Sequence, residues 1–228
     1  MTITSATDPL AATRDSWHRV AEHVIAAAQF ADTGKIALRS VPGGFQTTRP
    51  LRGRRQLGVI GTQLVVTDET GSRAMPLTTI AAAAAFAGIT PGMPATVYPP
   101  ATPLQPDEPL YIDPSSTQRL AALYELADAA LRRFASDVEA VSQQPVLWPE
   151  HFDIGITVDA VNYGASPGDA NLAQPYLYIG PHAGPPVRDA FWNASFGAVR
   201  PMHETRSVEE AVAFYNAGRS RLSGDPRR

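Results

Sequence analysis

The 228-residue chain is expected to fold as an α+β protein, an antiparallel β-sheet packed by about three main helices. Three observations lead there. Two long amphipathic stretches each open on Asp-Pro, a third opens on a capping box, and short alternating segments broken by turn residues lie between them.

Asp8 and Pro9 form the first helix start, because proline's fixed φ and missing N–H are harmless at the first helical position. Leu10, Trp17, Val20, Val24, Ala27, Ala28 and Ala31 then recur at helical spacing, and Gly34 supplies the stop. On that helix His18 and Glu22, four apart, read as a solvated pair, while His18 and His23 do not share a face. Residues 35–41 and 45–48 read as strands around Pro42-Gly43-Gly44. Residues 57–67 and 73–77 flank the hairpin signal Asp68-Glu69-Thr70-Gly71, with Gly58 and Gly61 marking a bulge or bend. Thr78 or Thr79 caps a short helix over residues 81–87, closed by Gly88.

Residues 91–114 carry eight prolines and cannot form regular helix or central strand. The segment is either a linker or an ordered strap; Val97, Tyr98, Leu104, Leu110 and Tyr111 favour the strap. The chain thus reads as a single domain, residues 1–228, with two similar helix–strands–helix halves at 1–98 and 113–228. Asp113-Pro114 repeats the cap device before the stripe Leu120, Leu123, Tyr124, Ala127, Leu131, Phe134 and Val138. Strands are expected near 150–158, 174–179 and 196–202. Ser207-Val208-Glu209-Glu210 then opens a helix ending at Gly218, before a frayed tail.

Composition narrows the chemistry. With no cysteine, disulfides, thiolate metal sites and cysteine nucleophiles are excluded. A net charge of −3 creates no basic field for nucleic acid or an anionic membrane. The longest apolar run, residues 80–87, is too short to span a bilayer, and residues 1–15 do not resemble a secretory signal; the expectation is a cytoplasmic protein. No Walker loop, dinucleotide fingerprint or EF-hand loop is present, so no cofactor is expected. The arginines at 49, 52, 54 and 55 could hold an anion, although a solvated loop is the simpler reading.

Gly164-Ala165-Ser166-Pro167-Gly168 matches the G-x-S-x-G pattern of serine hydrolases. Pro167, however, lacks the N–H that an oxyanion hole needs. A β-turn fits better, with proline second and glycine third, so the hydrolase reading is rejected. Just upstream, period two over residues 150–158 puts Phe152, Ile154, Ile156 and Val158 on one face. His151, Asp153, Thr157 and Asp159 fall on the other, with Glu150 on the apolar side. His151 is thereby a candidate acid/base, Asp153 its orienter and Glu150 an alternative acid. Asp169, Tyr176, Tyr178 and His182 are candidate ligand-binding residues; Tyr176 and Tyr178 alternate with Leu177 and Ile179 and so share a strand face. His182, His203 and Asp169 lack paired ligand spacing, and no metal site is assigned.

The runs Pro145-Val146-Leu147-Trp148, His151-Phe152-Asp153, residues 163–169 and Pro175-Tyr176-Leu177-Tyr178 resemble an uncharacterised, mostly actinobacterial family, a domain of unknown function. The resemblance carries no activity over to this chain and implies only that these segments lie together. Two functions follow as expectations. One is binding of, or action on, a small polar ligand at a His/Asp/Tyr-lined pocket in the C-terminal half. The other is a non-catalytic, homo-oligomerising protein, for example a homodimer, whose aromatics (Tyr163, Tyr176, Tyr178, Phe191, Trp192 and Phe196) form an interface.

Overall fold

The computed structural model describes residues 8–224. The chain is of the α+β class, with antiparallel strands and helices packed on them. It divides into two compact units. The first runs to Ala122 and includes Trp148–Phe152; the second comprises Leu123–Leu147 and the chain from Asp153 onward. The division falls inside the long fourth helix, and the proline-rich segment belongs wholly to the first unit.

Helix α1 (Pro9–Val20) starts where Asp8 accepts a hydrogen bond from the Leu10 N–H at 3.0 Å. It continues without interruption through a π-helical segment, Ala21–Ala26, in which the Ala27 N–H reaches back to the Glu22 carbonyl. Helix α2 (Ala27–Thr33) ends at Gly34, whose φ of 69° is the left-handed conformation that favours glycine. Trp17, Val20, Val24 and Ile25 on this rod are fully buried, and Trp17 meets Phe45 edge-on at 5.5 Å.

Behind the helix runs a meander in the order β1 (Leu38–Val41), β2 (Gly44–Thr47), β3 (Gln56–Ile60), β4 (Gln63–Asp68) and β5 (Gly71–Pro76). The single strand expected over 57–67 is two strands. Gly61, at φ 55°, turns the chain between them and gives its carbonyl to the Trp17 indole N–H at 3.2 Å. Gln29, fully buried, ties helix to sheet: its amide donates to the Lys35 and Ala37 carbonyls and accepts from the Thr48 N–H and hydroxyl. Helix α3 (Ile80–Ala87) is capped by Thr79 and closed by Gly88 at φ 66°. In the arginine-rich loop, Arg52 pairs with Asp32 and Arg54 with Glu69 as largely exposed ion pairs, and Arg55 donates to the Ala87 carbonyl.

The proline-rich segment is an ordered strap. Having few N–H groups and no strand to pair with, it satisfies its backbone on side chains of the first helix. Thr13 accepts from the Asp113 N–H at 3.0 Å and Ser16 from Tyr111 at 2.9 Å, while Arg19 donates to the Gln105 carbonyl at 2.8 Å. The Glu22 carboxylate accepts from the Ala101 and Thr102 N–H groups and the Thr102 hydroxyl, at 2.9, 2.8 and 2.5 Å. His23 Nδ1 accepts from the Met93 N–H at 3.3 Å, so its proton sits on Nε2, which donates to the Thr102 carbonyl at 3.0 Å. The His18–Glu22 pair expected from the sequence is present at 3.9 Å but is not solvated: Glu22 is 0 % exposed, and His18 Nε2 donates to the Pro149 carbonyl at 2.7 Å.

Helix α4 (Pro114–Asp137) opens on Asp113, which accepts from the Ser116 N–H at 2.8 Å. β6 (Val146–Trp148) leads to the second unit's meander, β7 (Asp153–Val158), β8 (Val161–Ser166), β9 (Tyr176–Pro181) and β10 (Ala198–Pro201). β8 is absent from the sequence reading, which placed only the turn over residues 166–169 here. Residues 162–166 are strand, and the chain bends only from Pro167, with Gly168 at φ 97°. Ile154, Ile156, Tyr163, Ala165, Leu177 and Ile179 form the buried face. Tyr163 there meets Phe134 of α4 at 4.5 Å and Tyr215 of the last helix, α5 (Val208–Ser223), at 5.9 Å. Helix α5 does not end at Gly218. A Cβ there would stand 2.3 Å from Ile179 Cδ1, so the glycine allows close helix–sheet packing and stops nothing.

Candidate functional site

The opposite face of the second meander is polar. Period two from Asp153 places Asp153, Gly155 and Thr157 of β7 on it, and the pairing adds Asn162, Gly164 and Ser166 of β8 and Tyr176 and Tyr178 of β9. Gly155, Gly164 and Tyr178 stand in one row across three strands. The two glycines leave room for the tyrosine ring: a Cβ at 164 would lie 2.5 Å from Tyr178 Cζ and Oη, and one at 155 would lie 2.9 Å from Oη. Laid across that row, the Tyr178 hydroxyl reaches two strands over and donates to Asp153 Oδ2.

Tyr176 stands two residues along, its ring 6.4 Å from that of Tyr178, and donates to Asp169 Oδ2 at 2.7 Å. The other oxygen of Asp169 accepts from the Asn171 and Leu172 N–H groups at 2.6 and 2.9 Å, an Asx turn that holds the loop. Ser166, 4 % exposed, accepts from the Gly168 N–H at 3.2 Å. The strand it ends runs on through a loop to β9 rather than into the helix a nucleophile elbow requires.

Both phenols are held in the protonated form. Burial raises the Tyr176 pKa, with Asp169 adding to it, and burial followed by the Asp153 charge raises that of Tyr178 well above its usual value. Each hydroxyl proton is thus committed to a carboxylate. With those protons committed, what remains on these groups is acceptor capacity: phenol oxygen lone pairs, carboxylate oxygens and aromatic edges.

Of the residues singled out in the sequence, Asp153, Asp169, Tyr176 and Tyr178 come together here. His182 is exposed, at the far end of the face, donating to Asn162 Oδ1 at 3.1 Å beside Thr157. His151 and Glu150 are not on strand β7. The strand expected from 150 begins at Asp153, because residues 149–152 form a turn in which the Phe152 N–H bonds the Trp148 carbonyl at 2.7 Å and Phe152 adopts φ 54°. Alternation therefore does not extend back to His151, which is exposed in that turn. Glu150 belongs to the first unit, its Oε2 buried in the neighbourhood of Tyr98; burial, then Glu22 and Glu150, raise the Tyr98 pKa.

Sequence reasoning missed Gly155 and Gly164 as the platform of this face. Two glycines inside alternating strands were the available signal, but only pairing shows that they stand opposite one another. Among the described residues, no three His, Asp or Glu side chains gather as a metal site, and no helix is long and apolar enough to cross a membrane. No family model, no curated protein and no solved structure matches this chain.

Proposed function

We propose that the chain binds a small polar ligand on the tyrosine–carboxylate face of its second unit, and that the ligand is a hydrogen-bond donor or a cation. One observation carries this reading. Tyr176 and Tyr178, adjacent on one strand face, each donate their only hydroxyl proton to a carboxylate, Asp169 and Asp153. A ligand amine or guanidinium meets acceptors and negative charge there, and the tyrosine rings add cation–π attraction. An anionic ligand would meet two carboxylates of its own sign. His151 lies in the exposed turn before the strand, so the reading is of binding rather than acid/base catalysis.

The homo-oligomer reading draws less support. Of the six aromatics it relies on, Tyr163 and Trp192 are about 1 % exposed and lie in the core, while Tyr178 and Phe191 are half-buried and Phe196 is 42 % exposed. The test is thermal stabilisation by a panel of small amines and guanidines set against carboxylates and phosphates of like size. A cation that stabilises the parent protein at millimolar concentration should lose that effect in Asp153→Asn and in Tyr176→Phe. Stabilisation by the anions alone, or cation stabilisation that both variants retain, would overturn the reading.

A further inference from the structure

A second feature lies in the first unit. The strap between Met93 and Leu110 is held in an unusual way. Met93 and Leu110 at its two ends are buried, 5 % and 9 % exposed, but none of the sixteen residues 94–109 is buried. Along that length only Val97, Tyr98, Pro100 and Thr102 are half-buried, so the apolar transfer energy that keeps it in place is confined to a few side chains. Its anchors are polar: Glu22 under Ala101 and Thr102, His23 under Thr102, Arg19 at Gln105 and Glu108, and the Pro106 carbonyl to the Ala81 N–H at 2.8 Å. Each such bond can be exchanged for one to water when the strap lifts, so opening is cheap compared with breaking the sheet behind it.

Beneath the strap lie side chains that an ordinary helix would turn to solvent. Glu22 is 0 % and His23 1 % exposed, and both sit in the π-helical turn, a distortion that recurs at functional sites. His18, one turn earlier, comes within 3.9 Å of the Glu22 carboxylate. Tyr98 is carried on the strap itself, and its phenol feels both Glu22 and Glu150.

We propose that residues 94–109 are a lid that opens as a unit while the sheet of the first unit stays folded, uncovering the Glu22 carboxylate and the His23 imidazole. The two ends act as hinges, fixed by Met93 on one side and Leu110 on the other.

Native-state hydrogen exchange on the whole protein tests it. The amides of Ala101 and Thr102 should exchange at least about 100-fold faster than those of β2 to β4, with little dependence on low urea concentrations, the signature of local opening. Thr102→Val removes the hydroxyl that donates to Glu22 and should speed exchange at Ala101 by about tenfold while leaving the sheet amides unchanged. Diethyl pyrocarbonate should modify His23 at a rate that follows the Ala101 opening. Strap amides that exchange with the same free energy and urea slope as the sheet would overturn the lid. So would a Thr102→Val variant that speeds strap and sheet alike, or a His23 that reacts only when the sheet opens.

Discussion

Replacing Gly164 by alanine probes the platform under Tyr178. The added Cβ would lie 2.5 Å from the Ile154 carbonyl oxygen, which is backbone within a paired strand, and 2.5 Å from Tyr178 Cζ and Oη. The backbone cannot yield by enough, so the ring must swing away and release Asp153. Overpacking costs about 1–3 kcal/mol, and a hydrogen bond to a charged group is worth about 1.5–3 kcal/mol. Gly164→Ala should therefore destabilise the second unit by about 2–5 kcal/mol in urea denaturation. Tyr178→Phe, which removes only the hydroxyl, should cost the hydrogen-bond share, about 1.5–3 kcal/mol. Because both changes break the same bond, the double variant should fall short of the sum by more than about 1 kcal/mol. Additive losses, or a Gly164→Ala protein as stable as the parent, would refute the claim that this glycine exists to seat that ring.

Four further outcomes are expected. Gly218→Ala gains about 1 kcal/mol in helix propensity but puts a Cβ 2.3 Å from Ile179 Cδ1, so it should be destabilising overall; Ile179→Val in the same chain should recover part of the loss. Gln29→Leu removes the amide that bonds the Lys35 and Ala37 carbonyls and the Thr48 N–H at the edge of the core, and should cost about 1–3 kcal/mol in urea denaturation. Phe152 holds φ 54° while its ring, 1 % exposed, stacks on His18 at 5.0 Å. Phe152→Ala should cost about 3–5 kcal/mol, and Phe152→Gly no more than alanine, because glycine escapes a left-handed penalty of about 1–2 kcal/mol. Burial lowers the His18 pKa from 6.5, against the opposing pull of Glu22, so the unfolded chain takes up its proton first. The His18 contribution to stability is full above pH 6.5 and is lost as pH falls from there to the lower folded value. His18→Gln should flatten that part of the urea midpoint–pH curve, and an unchanged curve would sink the argument.

Much of the fold was legible because it is set locally. Asp8-Pro9, Asp113-Pro114 and the Ser207 capping box mark helix starts by hydrogen bonds to residues two or three positions away, and Gly34 and Gly88 close helices through their own φ. The turns at Gly61 and Asp159-Ala160 were harder to see. The first lies within a continuous β-like run, and the second places two non-glycine residues at φ 51° and 59°. Sequence patterns penalise such positions, and only the pairing of β7 with β8 sustains them.

The candidate site was legible in part for the same reason. Alternation along one strand puts Tyr176 beside Tyr178, and Asp169 is close enough in sequence to be reached by a turn. His151 was misplaced because a single residue at positive φ, Phe152, resets the side-chain phase, and periodicity has no term for that.

By itself, the sequence determined the α+β class, the helix starts and the absence of cysteine chemistry, since these depend on composition and on neighbours a few residues apart. Only the tertiary structure decided that Glu22 and His23 are buried anchors and that the proline-rich segment is a strap. Burial of a polar side chain depends on which distant backbone groups arrive to satisfy it, and Ala101 and Thr102 stand roughly eighty residues from the carboxylate that holds them.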